Sequence, residues 1–352
     1  MKKGLIAVVL VLSVFLLVGC GEKEEKLYLL NWGEYMDQDL VIAFEEEYGV
    51  DVIYTEVGSN EEMEVLIKAG TTAYDIAFPS DYMVDKLASQ GLLNEIDYDR
   101  LTALDDVAIM DEVLNLYADK DYAPYLVPYF WGTIGIMYNL ETVDEADLTG
   151  WEVLFEQTDT YRVGMYDSAR DAVASALFYL GYDVNSNVTS ELDEAADALS
   201  NADFTMFGED NLKTQVIQGN LDMALVYSGD YFDELYAAEE DEREANFGYF
   251  VPETTNVWVD TFVIPTTSNQ TDLAYDFINF MLDEDNATQN ADWVGYAPVI
   301  EEVYAMLTSD EYGYDYDNYN PYPEGASREM YEFVSDDRYA RLNDILNNAK
   351  AN

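Results

Sequence analysis

Aromatic and carboxylate side chains recur where predicted strands end, and together they have the chemistry to hold an aliphatic polycation. The residues concerned are Trp32, Tyr35, Ser80, Tyr82, Trp131, Asp167, Asp171, Tyr227, Trp258, Asp260 and Tyr296. A methylene chain packs on aromatic faces, and its ammonium groups are bound by cation–π contacts and carboxylates. Because ligands of parallel α/β sheets bind beyond the carboxyl ends of strands, we expect these side chains to surround one site.

One pair in this set has an informative spacing. Trp258 and Asp260 are two residues apart in an extended run, so their side chains share one face of the strand. An aromatic ring and a carboxylate on one face can contact a single ammonium group from two sides. We therefore expect Asp260 to bind an ammonium group directly, with Trp258 as a wall of the site.

Each of these residues also has a purely structural interpretation. Single aromatic residues at strand ends belong to the protein core more often than to a ligand site. The segment from Ser168 to Asp171 also matches an ordinary capping box at a helix start. In a chain with 72 Asp and Glu residues, most carboxylates simply solvate the surface. Taken one residue at a time, the pattern leaves both interpretations open.

The composition excludes several classes of function. The chain has a formal net charge of −56, from 16 Lys and Arg against 72 Asp and Glu. This balance argues against nucleic-acid binding, which needs Lys and Arg to contact phosphates, and it favours cationic partners. The absence of histidine excludes a Ser-His-Asp triad and histidine-ligated zinc. The acidic segment 315–320 lacks the glycine of a calcium loop, so we expect neither a metal nor a cofactor.

The first twenty residues have the features of an export signal. Two lysines precede an apolar stretch at residues 4–18 that is shorter than a ~20-residue membrane span. The residues that follow resemble the bacterial lipobox, which implies cleavage before Cys20 and attachment of a lipid to it. We predict a signal peptide over residues 1–19, a tether over residues 20–26, and an exported protein anchored on the outer face of the cytoplasmic membrane.

The elements that would position the site alternate between strands and helices. A strand at residues 27–30 precedes an amphipathic helix at about residues 38–48, a strand at residues 50–57 and a helix at residues 60–69. The same alternation returns beyond residue 162. The sequence therefore predicts an α/β fold with largely parallel sheets. At ~150 residues per domain, 352 residues correspond to about two domains.

Several segments together resemble the spermidine/putrescine-binding proteins of bacterial ABC importers. In chain order they are NWGEY (31–35), SNEEM (59–63), YD (74–75), PSDYMVDK (79–86), VPYFWG (127–132), WVD (258–260) and VGY (294–296). Their order and spacing match the family over nearly the whole chain that follows the signal. The resemblance implies a two-lobed, type II periplasmic-binding-protein-like fold. Each lobe would be a mostly parallel sheet flanked by helices, with the ligand in the interlobe cleft.

The resemblance also implies domain boundaries, because the chain of this family crosses between the lobes more than once. Lobe 1 would contain residues 27–131 and about 259–300. Lobe 2 would contain residues 132–258 and about 301–350. The two lobes would close around the ligand by a hinge motion.

Matched position by position, the resemblance assigns ligand binding to one set of residues. They are Trp32, Tyr35, Ser80, Tyr82, Asp171, Tyr227, Trp258, Asp260 and Tyr296. Asp171 stands where the family has a glutamate, which keeps the charge on a shorter arm. Tyr227 replaces a tryptophan, which keeps an aromatic wall. These changes preserve the polyamine class and leave the choice among polyamines open.

A second group of ligand-binding candidates consists of Gly33, Trp131, Asp167 and Ser168. Gly33 replaces a small hydroxyl residue of the family, with the loss of one polar contact. Ser168 stands where some members have an aspartate, a loss for which the neighbouring Asp167 could compensate. Near the C-terminus, a family glutamine aligns with Val334.

The resemblance implies that the chain binds spermidine, putrescine or both with high affinity and delivers them to the permease and ATPase subunits of an ABC importer. It implies no enzymatic activity. One alternative is a binding protein of the same fold for a sugar, an anion or ferric ion, and the 30 tyrosines keep the ferric option open. A second alternative is a carboxylate-based hydrolase, for which paired acids are the only sign.

Overall fold

A computed structural model describes residues 25–309, 322–323 and 325–351. The predicted signal peptide, Cys20 and most of the tether lie outside the described residues. Within those residues, none of the helices combines the length and hydrophobicity needed to cross a membrane.

The described elements follow the expected alternation of strands and helices. The strands are β1 (Lys26–Trp32), β2 (Asp51–Val57), β3 (Ile76–Ala77), β4 (Val127–Gly132), β5 (Ile134–Asn139), β6 (Val163–Tyr166), β7 (Met206–Gly208), β8 (Met223–Tyr227), β9 (Phe247–Phe250), β10 (Thr254–Phe262), β11 (Ala297–Pro298) and β12 (Ser327–Met330). The α-helices are α1 (Gln38–Tyr48), α2 (Asn60–Ala69), α3 (Asp81–Ser89), α4 (Asp111–Tyr117), α5 (Glu152–Glu156), α6 (Ala169–Leu180), α7 (Thr189–Asn201), α8 (Asn211–Ile217), α9 (Ser228–Glu240), α10 (Thr271–Leu282), α11 (Glu284–Val294), α12 (Glu301–Leu307) and α13 (Asp336–Lys350).

The first sheet begins as the parallel sheet that the sequence predicts. Strand β1 pairs in parallel with β2 on one side and with β3 on the other. A bridge between Ala77 and Val263 extends this sheet to the segment after β10. Strand β10 pairs with β4, and β4 also pairs with β11. Leu27 and Leu29 of β1 have no exposed surface, because β1 lies between two strands under covering helices.

The second sheet is more mixed than the sequence suggests. Its strand order is β7-β6-β8-β5-β9. Strands β6, β7 and β8 run parallel, whereas β5 is antiparallel to both of its neighbours, β8 and β9. The reason is that β4 and β5 form one extended run, so β5 enters the second sheet directly from the first and in a direction that β4 fixes.

Two extended runs cross between the sheets and are bonded to each other at the crossing point. Thr133, which separates β4 from β5, has a fully buried hydroxyl that lies 2.9 Å from the Asn256 carbonyl oxygen of β10. The Asn256 side chain in turn accepts a hydrogen bond from the Ile134 backbone N–H at 2.8 Å. The two crossing strands are therefore hydrogen-bonded to each other at this junction.

The predicted lobe boundaries at residues 131/132 and 258/259 fall at this junction, and we retain them as a proposal. The third predicted boundary, at about residue 300, falls just before α12. Helix α12 lies beyond that position, yet its Glu301 backbone N–H donates to the carbonyl of Ala108 at 2.8 Å. A bridge also joins Ile109 to Ile300. We therefore propose that lobe 1 extends through Leu307.

Two short strand-to-helix connections position the first residues of α3 and α6. At α6, the Ser168 hydroxyl accepts a hydrogen bond from the Asp171 backbone N–H at 3.4 Å, so the capping interaction expected there is present. At α3, the Ser80 hydroxyl makes no capping bond. The Asp81 carboxylate accepts from the Tyr82 backbone N–H instead, at 2.6 Å, which leaves Ser80 available for another partner.

Candidate ligand-binding site

Asp260 lies at the centre of the candidate site, on β10 just beyond the crossing point. Its carboxylate accepts a hydrogen bond of 2.6 Å from the Ser80 hydroxyl, which joins β10 to the start of α3. The side chain is buried, with 7% of its surface exposed. Burial raises the pKa of Asp260 to about 6, although the hydrogen bond from Ser80 lowers it in part. A desolvated carboxylate of this kind favours a cationic partner.

Four aromatic rings, here called the aromatic row, run away from Asp260 and are Tyr35, Tyr296, Trp258 and Tyr227. Successive ring centroids lie 5.5, 5.3 and 6.0 Å apart, and each pair meets edge to face. The row combines residues from the loop after β1, the end of β8, strand β10 and the segment before β11. Its length and apolar surface suit a methylene chain, and ring faces attract ammonium groups.

Asp171 lies at the Tyr227 end of the aromatic row. The hydroxyl of Tyr227 donates to Asp171 Oδ2 at 2.8 Å, and that of Tyr331 donates to Asp171 Oδ1 at 2.9 Å. Next to it, the Arg170 guanidinium stacks 3.3 Å from the centre of the Tyr82 ring and lies 3.7 Å from Glu61. Arg170 thus belongs to the second sheet's helix α6 but contacts side chains of the first, and it bridges the cleft beside Asp171.

The structure adds three residues that sequence reasoning did not assign to the site. Asp81 is fully buried and accepts from the Val259 backbone N–H at 3.3 Å. Asp230 accepts from the Tyr296 hydroxyl at 3.3 Å, and burial raises its pKa. Tyr331 reaches Asp171 as described above. Asp230 has a usable sequence signal, since it follows the buried strand β8 by three residues, whereas Asp81 is the first residue of α3, where the helix dipole favours an acidic residue in any case.

Near the C-terminus, the residue that reaches the candidate site is Tyr331. Val334, which aligned with a family glutamine, is 38% exposed. The contact with Asp171 is made three residues earlier, by Tyr331, which is buried. No sequence pattern indicated this register, because Tyr331 follows a Tyr- and Asp-rich segment without periodicity.

Other candidates occupy positions around the aromatic row. Trp131 is 1% exposed and stacks on Tyr322 at 6.0 Å, as a core residue would. Asp167 accepts a hydrogen bond from Lys350 of α13 at 2.6 Å, so its charge is already paired with that lysine. Ser168 uses its hydroxyl as the helix cap.

Trp32 and Gly33 lie at the end of β1, at the edge of the site. The indole N–H of Trp32 is buried and has no hydrogen-bond partner among the described residues. A Cβ atom at Gly33 would lie 3.7 Å from Glu56, an ordinary contact distance, so no close approach requires glycine there. Within the described residues, no group of three or more Asp, Glu or Cys side chains is arranged to hold a metal ion.

Comparison with known proteins places the chain in a family. The sequence profile of the bacterial extracellular solute-binding proteins matches residues 39–316. The chain belongs to this family. The spermidine/putrescine-binding periplasmic protein of Salmonella typhimurium is 30% identical over 275 residues, which is 77% of each chain.

Solved structures of similar proteins share the fold. A spermidine/putrescine ABC-transporter substrate-binding protein of Streptococcus pneumoniae is 34% identical, with a TM-score of 0.75 over 93% of this chain and 99% of its own. A lipoprotein of Treponema pallidum is 26% identical, with a TM-score of 0.77 over 93% of this chain and 100% of its own. The expected two-lobed periplasmic-binding-protein fold is thereby confirmed, as is the resemblance to polyamine-binding proteins.

We predict that replacing Asp81 by asparagine flattens the pH dependence of stability in the ligand-free protein. Burial raises the pKa of Asp81 to about 8, against about 3.9 in an unfolded chain. The stabilisation from this proton is fully present below about pH 4 and is lost as the pH rises through about 8. The loss is on the order of 5 kcal/mol at most.

Urea unfolding of wild type and Asp81→Asn at pH 5 and at pH 8 tests this prediction. The exposed Asp197, on α7, supplies the control variant Asp197→Asn. We expect wild type and the control to lose more stability than Asp81→Asn as the pH rises. Parallel losses in all three proteins would show that Asp81 does not carry the effect.

Proposed function

We propose that this chain binds a polyamine in the cleft between its lobes and delivers it to the permease and ATPase subunits of an ABC importer. The proposal rests on the burial of the Asp260 carboxylate without a basic partner in the described part of the chain. Its carboxylate is buried at the end of the aromatic row, and no Lys or Arg of the described residues forms a salt bridge with it. A ligand ammonium group would supply the missing positive charge, and the aromatic row would accept the methylene chain.

The relatives support this assignment. The Salmonella and Streptococcus proteins are both named for spermidine and putrescine, and the latter is named as an ABC-transporter subunit. Asp260, Trp258 and Tyr296 stand where the resemblance places ligand-binding residues, and the rings of Trp258 and Tyr296 are in contact with each other. As a binding protein of this kind, the chain would perform transport without catalysis.

Thermal unfolding with a panel of ligands tests the proposed function. A ligand present at 100 times its dissociation constant stabilises the folded state by about 2.7 kcal/mol. We expect putrescine, spermidine or spermine to raise the unfolding temperature, and maltose and ferric citrate to leave it unchanged. A rise with maltose or ferric citrate alone would assign the site to another ligand class.

We further propose that the protein is exported and held at the outer face of the cytoplasmic membrane by a lipid on Cys20. The apolar stretch at residues 4–18 and the cysteine that follows it support this, as does the lipoprotein of Treponema pallidum among the structural relatives. Acyl chains contribute about 0.8 kcal/mol per buried methylene group, so a lipidated Cys20 would keep the protein at the membrane.

The variant Cys20→Ser is expected to lose the membrane anchor. In cells fed a labelled fatty acid, wild type should carry the label and sediment with membranes, whereas Cys20→Ser should stay unlabelled and either remain unprocessed or be released. Equal labelling of the two proteins would contradict the assignment of Cys20.

A further inference from the structure

Lys213 places an ammonium group of the protein itself beside the candidate site. It lies on α8, and its Nζ atom is 2.9 Å from Asp230 Oδ1 and 3.8 Å from Asp233 Oδ2. The Lys213 side chain is 19% exposed, and Asp230 is buried. The closer pair is therefore a largely desolvated ion pair, whose charges act over longer distances than those of surface residues.

The pair is connected to the site through Tyr296. The second carboxylate oxygen of Asp230 accepts from the Tyr296 hydroxyl at 3.3 Å, and the Tyr296 ring contacts both Tyr35 and Trp258. The Tyr296 ring packs closely against the backbone of α9 at Gly229, since a Cβ atom there would lie 2.3 Å from the ring. Asp230 and Lys213 thus lie one side chain behind the aromatic row.

Lys213 is one of two positively charged side chains of the described residues that lie among the buried carboxylates of the site. Three buried carboxylates lie beside the aromatic row, namely Asp171, Asp230 and Asp260. Two positively charged side chains accompany them: Arg170 lies beside Asp171, and Lys213 contacts Asp230. The chain has only 16 Lys and Arg in all. An ammonium group of the protein on one of these carboxylates therefore reduces the negative charge left for the ammonium groups of a ligand.

We propose that Lys213 sets the number of ligand charges that the site accepts, by neutralising Asp230 and so favouring a diamine over a triamine. This inference rests on the proposed polyamine binding. Each ammonium group of a polyamine loses hydration in the cleft and needs a compensating carboxylate. With Asp230 already neutralised, a third ammonium group gains less than it would beside a free Asp230. Lys213 is then a specificity-determining residue that acts through Asp230.

The test measures the ratio of spermidine affinity to putrescine affinity by calorimetric titration at fixed pH and salt. Three variants are compared with wild type: Lys213→Met, Asp230→Asn, and the double variant. Lys213→Met frees the Asp230 charge, so the ratio should rise at least fivefold in favour of spermidine. Asp230→Asn leaves the Lys213 charge with only the more distant Asp233, at 3.8 Å, so the ratio should fall. The double variant has neither charge, and its ratio should return to within about twofold of wild type.

The outcomes are distinguishable. A purely structural ion pair would change the unfolding temperature and leave the ratio unchanged in all variants, which would overturn the inference. If Lys213→Met does not fold, the comparison of Asp230→Asn with the double variant isolates the Lys213 charge, and equal ratios there would also overturn it. If wild type binds neither diamine nor triamine, the proposed function itself fails, independently of Lys213.

Discussion

Asp260→Asn is expected to raise the dissociation constant for putrescine or spermidine at least tenfold. The substitution keeps the shape of the side chain and an oxygen that can accept from Ser80, but it removes the charge that would bind an ammonium group. A hydrogen bond to a charged group contributes about 1.5–3 kcal/mol net, and 1.4 kcal/mol corresponds to about tenfold in affinity. A ligand cation left in the desolvated cleft without its counter-charge adds to the loss.

Salt separates this local contribution from the general acidic field of the protein. The other carboxylates act mostly at distances beyond the Debye length of ~8 Å at physiological salt, where they are screened. Asp260 is buried, so its contribution should persist. Titrations of wild type, Asp260→Asn and the exposed control Asp197→Asn at low and high salt provide the measurement. Convergence of wild type and Asp260→Asn at high salt would show that the carboxylate acts only through the general field.

The pH dependence of binding offers a second readout of the same carboxylate. The pKa of Asp260 is raised to about 6 by burial in the ligand-free protein, and the ammonium ligand needs the ionised form. Affinity should therefore be complete above about pH 6 and fall as the pH drops below it, by up to about tenfold per pH unit for one linked proton. In Asp260→Asn this dependence should be shallower, because the group that takes up the proton is gone.

Trp258→Leu is expected to weaken polyamine binding about 2- to 30-fold, since a cation–π contact contributes roughly 0.5–2 kcal/mol. Trp258 lies between Tyr227 and Tyr296 in the aromatic row and on the strand that carries Asp260. Leucine keeps an apolar side chain but removes the ring face. Because Trp258 is buried, some loss of stability should accompany the loss of affinity.

Trp258→Phe is the matched control, because phenylalanine retains a ring while it also leaves a cavity. We expect Trp258→Phe to keep more affinity than Trp258→Leu at a comparable unfolding temperature. Calorimetric titration combined with thermal unfolding of both variants distinguishes the two roles. If both variants lose stability and neither loses affinity, Trp258 is a core residue only.

The alternation of strands and helices was predictable because it depends on local patterns. Apolar runs such as β1 and β8 and the cap at Ser168 are set by neighbouring residues, and the structure contains them. The mixed second sheet was not predictable in this way. The direction of β5 depends on its continuity with β4 across the cleft, which is a property of the whole chain.

The candidate site was likewise predictable where it depends on local sequence patterns, and was not predictable where it depends on contacts between distant parts of the chain. The spacing of Trp258 and Asp260 on one strand and the positions of Tyr35 and Tyr296 near strand ends mark these residues as candidates, and the family resemblance assigns them ligand binding. Asp81 was missed because, in so acidic a sequence, a single aspartate carries no mark of its burial, and the position of Asp230 three residues after β8 was too weak a mark among 72 Asp and Glu residues. Their roles depend on side chains distant in the chain, Tyr296 for Asp230 and the Val259 backbone for Asp81.

Calorimetric titration of the purified protein with putrescine and with 1,4-butanediol, at physiological salt and pH 7.5, tests the central claim most directly. The two compounds share a four-carbon chain and differ in their terminal groups, which are ammonium in one and hydroxyl in the other. We predict saturable binding of putrescine with one site per chain and no detectable binding of the diol. Equal binding of both, or binding of neither putrescine nor spermidine, would contradict the assignment of this cleft to polyamines.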